Sequence, residues 1–68
     1  MSAERAELSS LSTALTEITR RVAGIAEQAA ADKDDELSSE LFAVERALRG
    51  AGRRLERLTA PTDRQRRR

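Results

Sequence analysis

The residues best suited to chemistry are the arginines of the C-terminal half. Residues 41–68 carry nine arginines against three acidic residues. Guanidinium groups bind phosphates and carboxylates through paired hydrogen bonds, and a basic helix face with a basic tail is typical of nucleic-acid binding. The alternative is a solvated, salt-bridged helix face, since no aromatic residue lies among these arginines to stack on bases. The candidate polyanion-binding residues are Arg46, Arg49, Arg53, Arg54, Arg57, Arg64, Arg66, Arg67 and Arg68.

A second unusual feature is the segment 49–54, with the sequence Arg-Gly-Ala-Gly-Arg-Arg. Two glycines inside a predicted helix lower its stability by about 2 kcal/mol together. The segment is not a phosphate-binding loop of the P-loop type, because the Gly-Lys-Ser/Thr ending is missing. Two interpretations stay open. One is close packing or a local bend of the helix, and the other is an anion site in which the glycine backbone and the flanking arginines hold the ligand.

Residues for catalysis or metal binding are scarce. The chain has no histidine and no cysteine, so the candidate bases and nucleophiles are mainly carboxylates and hydroxyls, and the usual zinc ligands are missing. The acidic cluster Asp32, Asp34, Asp35 and Glu36 lacks the alternating ligands, central glycine and distal glutamate of a calcium loop. We expect a capping turn there, no metal, no cofactor and no enzymatic activity.

The elements that carry these residues follow from two heptad series of apolar residues. Steps of three and four residues place each series on one helix face, and the second series mirrors the first. Pairing the two from the outside in, starting with Leu8 and Leu58, places the fold-back at Lys33. The sequence therefore predicts an all-α fold, a coiled-coil-like antiparallel helical hairpin, in preference to one long helix whose seam would contain acidic residues. The predicted hairpin seam comprises Leu8, Leu11, Leu15, Ile18, Val22, Ile25, Leu37, Leu41, Val44, Leu48, Ala51, Leu55 and Leu58.

Capping residues and a proline mark the ends of the elements. Helix 1 is predicted from about residue 3 to 30 and helix 2 from about residue 35 to 59, with a turn at about 31–34. Asp32 or Asp34 is the predicted N-cap of helix 2, and Pro61 ends that helix because it disfavours helix at the preceding residue. Residues 1–60 thus form one hairpin domain, and the arginine-rich residues 61–68 are expected to be a disordered basic tail.

A second face of the hairpin carries mainly small residues. Such residues let another helix approach closely, and a hairpin of 68 residues buries too little apolar area to be stable alone. We therefore expect a homodimer that forms a four-helix bundle through this face. The alternative is that these alanines, serines and threonines are ordinary helix surface. The predicted oligomer interface comprises Ser12, Thr16, Thr19, Ala23, Ala26, Phe42, Ala43 and Ala47.

These features predict a class of function and not a named activity. The first expectation is a non-enzymatic, homo-oligomeric helical-hairpin protein that mediates protein–protein interaction or assembly, with itself and with an unidentified protein partner. The alternative is a nucleic-acid-associated or anion-sensing regulator that uses the arginine-rich helix face and C-terminal tail. No apolar run approaches 18 residues, so we expect no membrane contact and a cytoplasmic location. The bias toward arginine and alanine is typical of small bacterial proteins encoded by GC-rich genomes.

Overall fold

The computed structural model describes residues 3–59 as two long helices. Helix α1 is Ala3–Ala31 and helix α2 is Asp35–Thr59, and the two pack against each other as an antiparallel pair. Both helices have acidic residues in their first turn, where the positive end of the helix dipole favours them. The predicted all-α hairpin is confirmed. The predicted basic tail, residues 61–68, lies outside the described residues.

The turn between the helices consists of three residues, 32–34, and closes α1 with a Schellman motif. Lys33 has a φ of 65°, in the left-handed region. Its N–H donates to the carbonyl of Ala30 at 3.0 Å, and the N–H of Asp34 donates to the carbonyl of Ala29 at 2.9 Å. These two hydrogen bonds satisfy carbonyls that the helix end would otherwise leave without a partner.

The N-cap of α2 is Asp34. Its carboxylate accepts a hydrogen bond from the N–H of Leu37 at 3.3 Å, and its carbonyl accepts the first helical bond, from the N–H of Ser38 at 3.0 Å. Asp32, the other predicted cap, instead accepts a hydrogen bond from the side chain of Gln28 in the last turns of α1. A single residue, Asp34, therefore terminates one helix and starts the next, which makes the bend short and well defined.

The line of contact between the helices, the observed seam, is built largely from small residues. Ala26 is fully buried, and no large side chain of residues 3–59 is. Along each helix the least exposed positions recur in steps of three and four, and a Cβ built on Gly52 would lie 3.8 Å from the Cδ2 of Leu15. Counting outward from this contact through the least exposed positions gives a register of seven levels: Leu8 with Thr59, Ser12 with Leu55, Leu15 with Gly52, Thr19 with Leu48, Val22 with Glu45, Ala26 with Leu41, and Ala29 with Ser38.

The observed register corrects the predicted seam. On α2 the partners move by one residue, so that Leu15 faces Gly52 and not Ala51. On α1 the seam uses serine, threonine and alanine where the prediction placed leucine and isoleucine. The physical reason is size, because five of the seven levels of the observed seam set a small residue against a larger one and so let the backbones approach. The predicted seam residues that are exposed instead are Leu11, Ile18, Ile25, Leu37, Val44, Ala51 and Leu58.

The hairpin is a single layer. Its extents are 48 × 24 × 12 Å, and the smallest of these is the diameter of one helix with its side chains. Stable domains normally enclose a core between two packed layers. The only apolar residues buried within residues 3–59 are Ala26 and Ala29, so this layer has almost no core of its own.

The left-handed residue of the turn provides a first test. Replacing Lys33 by Gly should raise the free energy of unfolding by about 1 kcal/mol, because a non-glycine residue is strained at a φ of 65° and glycine is not. Urea denaturation followed by circular dichroism measures the change. Lys33→Ala is the control, since it removes the same charge and keeps the strain. An equal gain in the free energy of unfolding for both variants would show that the charge of Lys33, and not its backbone conformation, limits the stability of the turn.

Candidate functional site

The observed seam divides the hairpin into two broad faces, and their residues follow from helix geometry. On α1, Thr16 and Ala23 lie on one side of the seam, and the stripe of Leu11, Ile18 and Ile25 lies on the other. On α2, Arg49 and Glu56 lie on one side, and the stripe of Leu37, Val44, Ala51 and Leu58 lies on the other. A single groove is lined by Thr16, Ala23, Arg49 and Glu56 together, so these four residues share one face. The two apolar stripes therefore share the opposite face.

This opposite face, here called the apolar face, is the most unusual surface of the molecule. It contains every large apolar side chain of residues 3–59 that is exposed, and each of these is between 43% and 56% exposed. Half-buried leucines and a valine of the seam form its floor. Monomeric proteins rarely leave contiguous apolar patches of more than a few hundred Å² in water. The six exposed residues are Leu11, Ile18, Ile25, Leu37, Val44 and Leu58.

The residues predicted to form the hairpin seam are the residues that make up the apolar face. The half-buried members of the predicted seam are Leu8, Leu15, Val22, Leu41, Leu48 and Leu55, and of these Leu48 also lines the groove on the opposite face. In each helix, the heptad residues thus point neither straight at the other helix nor straight into solvent. They point obliquely, toward the apolar face beside the seam. This is the orientation that heptad residues have in a four-helix bundle, where they point at the bundle axis.

The residues of the predicted oligomer interface are distributed over several surfaces of the single hairpin. Ser12, Thr19 and Ala26 are buried between α1 and α2. Thr16 and Ala23 line the groove on the face opposite the apolar residues. On α2, Phe42 is half-buried and Ala43 and Ala47 are exposed. The small residues of α1 do allow close helix approach, as predicted for residues of this size, but the approaching helix is α2 of the same chain.

The buried hydroxyls of the seam are satisfied by the helix itself. Thr19 donates to the carbonyl of Leu15 at 2.7 Å, and Ser38 donates to the carbonyl of Asp35 at 3.2 Å. No buried side-chain polar atom of residues 3–59 is without a hydrogen-bond partner. The seam therefore holds polar residues without leaving a buried polar atom unpaired within residues 3–59, and none of these hydroxyls points to a ligand.

The face opposite the apolar residues carries the arginine groove, a shallow depression of about 400 Å³. Two of its three arginines have acidic partners on their own helix: Arg20 pairs with Glu17, and Arg49 pairs with the largely buried carboxylate of Glu45. Arg20 was not among the predicted polyanion-binding residues, although its position four residues after Thr16 places it on this side of α1. The groove is lined by Thr16, Thr19, Arg20, Ala23, Leu48, Arg49, Gly52, Arg53 and Glu56.

The structure distributes the other predicted polyanion-binding residues over different surfaces. Arg49 and Arg53 line the groove. Arg46 and Arg57 are exposed on the same side of α2 as these two, as steps of three and four residues require, whereas Arg54 lies at the edge of the apolar face, one residue before the seam residue Leu55. The remaining candidates, Arg64, Arg66, Arg67 and Arg68, lie outside the described residues. Of the candidates within residues 3–59, only Arg54 therefore lies toward the apolar face.

The glycine-rich segment 49–54 is continuous helix, and its two glycines have different surroundings. Gly52 lies in the seam against Leu15, whereas a Cβ on Gly50 would meet only the end of the Arg53 side chain, at 4.0 Å. Close packing therefore accounts for Gly52. No similar contact accounts for Gly50.

Comparisons with protein-family models, curated proteins and solved structures find no match to this chain. Within residues 3–59 no group of acidic residues is arranged to hold a metal ion, and neither of the two helices is long and apolar enough to cross a membrane. The apolar face and the arginine groove are the two surfaces with the clearest potential for recognition.

The register of the seam can be tested at the glycines. Gly52→Leu should lower the free energy of unfolding by about 1–3 kcal/mol, because the new side chain has to fit against Leu15. Gly50→Leu is the matched control, two residues away on an open side of the same helix, and should be neutral or stabilising by up to about 1 kcal/mol through helix propensity. Urea unfolding of both variants gives the comparison. Equal stability of the two variants would contradict the packing of Gly52 against Leu15.

Proposed function

We propose that this chain is a non-enzymatic, homo-oligomeric helical-hairpin protein that acts through protein–protein interaction or assembly in the cytoplasm. The observation that carries the proposal is the apolar face, with six large side chains each about half exposed on one side of a single layer. A second layer placed on this face encloses the side chains that a lone hairpin leaves in water. A second copy of the chain supplies such a layer and completes a four-helix bundle.

Several properties of the apolar face favour a second copy as its partner. A homodimer with two-fold symmetry needs a patch that is complementary to itself, and a flat, uncharged stripe of branched aliphatic residues on both helices meets this need. The hairpin presents a side of 48 × 24 Å, along which the apolar stripe of α2 runs from Leu37 to Leu58, about 30 Å at 1.5 Å per residue. Stable interfaces bury about 800 Å² on each partner, which a surface of this size accommodates. In such a dimer each helix runs antiparallel to the helices beside it, which is the arrangement that bundles prefer.

A charge placed on the apolar face should break this association. Val44→Glu puts a carboxylate into the proposed interface and should weaken dimerisation by at least 100-fold, since an unpaired buried charge costs several kcal/mol. Sedimentation equilibrium at micromolar concentration measures the oligomeric state, and circular dichroism should show a parallel loss of helicity.

The control is Ala43→Glu, at the neighbouring exposed position that points away from the apolar face. It should leave the dimer unchanged. A dimer that tolerates Val44→Glu and is disrupted by Ala43→Glu would place the interface on the surface first predicted from the small residues. A wild-type chain that is monomeric at these concentrations would contradict self-association.

The arginine groove supports a second candidate function, the binding of an acidic ligand such as nucleic acid. Three arginines converge there from both helices, and the groove lies on the face that a dimer formed through the apolar face leaves open. Guanidinium groups that already pair with one carboxylate still have free N–H donors for a phosphate. Self-association and polyanion binding are therefore compatible in one molecule.

Neighbouring arginines of α1 allow a clean test of the groove. Arg20→Gln should weaken binding to a fluorescent DNA duplex. It should also reduce the slope of the logarithm of the binding constant against the logarithm of the salt concentration by about one, as expected for one lost phosphate contact. Arg21→Gln removes the same charge next to the apolar face and should have a smaller effect. Titrations at several NaCl concentrations give both quantities. No binding at low salt, or equal effects of the two variants, would contradict a site in the groove.

A further inference from the structure

The symmetry of the proposed dimer leaves two arrangements that cover both apolar faces. With the two-fold axis parallel to the helices, the two turns lie at the same end of the bundle, and α1 packs on α2 of the partner. With the axis across the helices, the turns lie at opposite ends, and each helix packs antiparallel on its own copy. Both arrangements bury the same residues. The charges of the hairpin distinguish them.

The two ends of the hairpin carry different net charge. Residues 32–40 contain five acidic residues and one lysine, a net charge of −4. At the open end, residues 3–8 and 53–59 carry four arginines against Glu4, Glu7 and Glu56, a net charge of +1, and the sequence after Thr59 adds four arginines and one aspartate, which brings the total to +4. When the turns lie at the same end, two segments that each have a net charge of −4 come together, and their repulsion is unfavourable. Turns at opposite ends place each acidic turn beside the basic end of the partner.

The edge of the apolar face on α2 shows the same complementarity at the level of single residues. Glu40, Ala47 and Arg54 follow one another at heptad spacing and precede the seam residues Leu41, Leu48 and Leu55, so they lie along one edge. Within residues 3–59 neither Glu40 nor Arg54 has an ion-pair partner in its own chain. When α2 packs antiparallel on its own copy about Ala47, each Glu40 meets Arg54 of the partner subunit.

The apolar residues of α1 fit the same axis, which passes through one of the several centres of symmetry that a 3-4 heptad series has. Its heptads are symmetric about residue 20, with Ile18 and Val22 at equal distances on either side, as are Leu15 and Ile25. The observed register places residue 20 of α1 level with Ala47 of α2. One two-fold axis at this level therefore pairs the apolar side chains of α1 and the charges on the edge of α2 at the same time.

We infer that the second copy binds with its turn at the opposite end, so that α1 packs on α1, α2 packs on α2, and Glu40 of each chain pairs with Arg54 of the partner subunit. This inference rests on the proposed self-association and specifies its geometry. The dimer then has two equivalent acid–base contacts, one on each side of the axis at Ala47.

A single spin label measures the geometry directly, because the chain has no cysteine. A label on Glu36→Cys, in the first turn of α2, should give an intermolecular distance of about 35 Å when the turns are at opposite ends, given a rise of 1.5 Å per residue. Turns at the same end would give a distance below about 20 Å and overturn the inference while leaving self-association intact. The absence of any defined distance, with a monomer in sedimentation, would overturn the proposed function instead.

Exchange of the two charges provides a second readout that does not depend on the label. Glu40→Arg alone should weaken the dimer by about 3- to 10-fold, because it places two like charges together at both contacts. Adding Arg54→Glu restores opposite charges across the interface and should restore the wild-type affinity. In the arrangement with turns at the same end these residues do not meet, so a double variant as weak as Glu40→Arg would contradict the proposed pairing.

Discussion

The hairpin depends on the close approach of α1 and α2 along a seam of small residues. Ser12, Thr19 and Ala26 on one helix and Gly52 on the other leave room for the larger side chain that each faces. Close approach has a consequence for every large residue nearby. Two cylinders in contact along a narrow line cannot both bury bulky side chains between them, so the leucines and isoleucines beside the line are displaced to the surface. The apolar face is therefore a direct result of the seam.

The fold could be predicted from the sequence because heptad spacing and the capping residues agree. Reversed heptads predicted two antiparallel helices, and the acidic segment around Lys33 predicted the bend, where Asp34 indeed begins α2. The seam could not be predicted in the same way. Heptad spacing identifies the stripe that becomes buried, but it does not say whether that stripe faces the next helix or the axis of a larger bundle. Ile18 and Thr19 are adjacent in sequence, and only the packed structure shows which of them faces α2.

The functional residues were predictable to different degrees for the same reason. The count of arginines indicated a basic half, but Arg54 separates from the other arginines of α2 once the seam is known. Arg53 lies in the groove, whereas Arg54 lies beside the apolar face. Arg20 became a candidate only when the fold brought α1 next to α2. Composition thus gives the sign of a surface charge, and the register of packing decides which charges act together.

Assembly and stability are linked in a molecule of this shape. A layer 12 Å thick with no large side chain fully buried within residues 3–59 has little apolar burial to offset the entropy of ordering two long helices. Small proteins commonly meet this deficit with disulfides or metals, but this chain has no cysteine and no histidine. The proposed second copy would answer this deficit, because the exposed heptads lie where a second layer would complete their burial. The residues that deprive the single hairpin of a core are thus the residues that form the core of the proposed dimer, so folding and association become one equilibrium that depends on protein concentration.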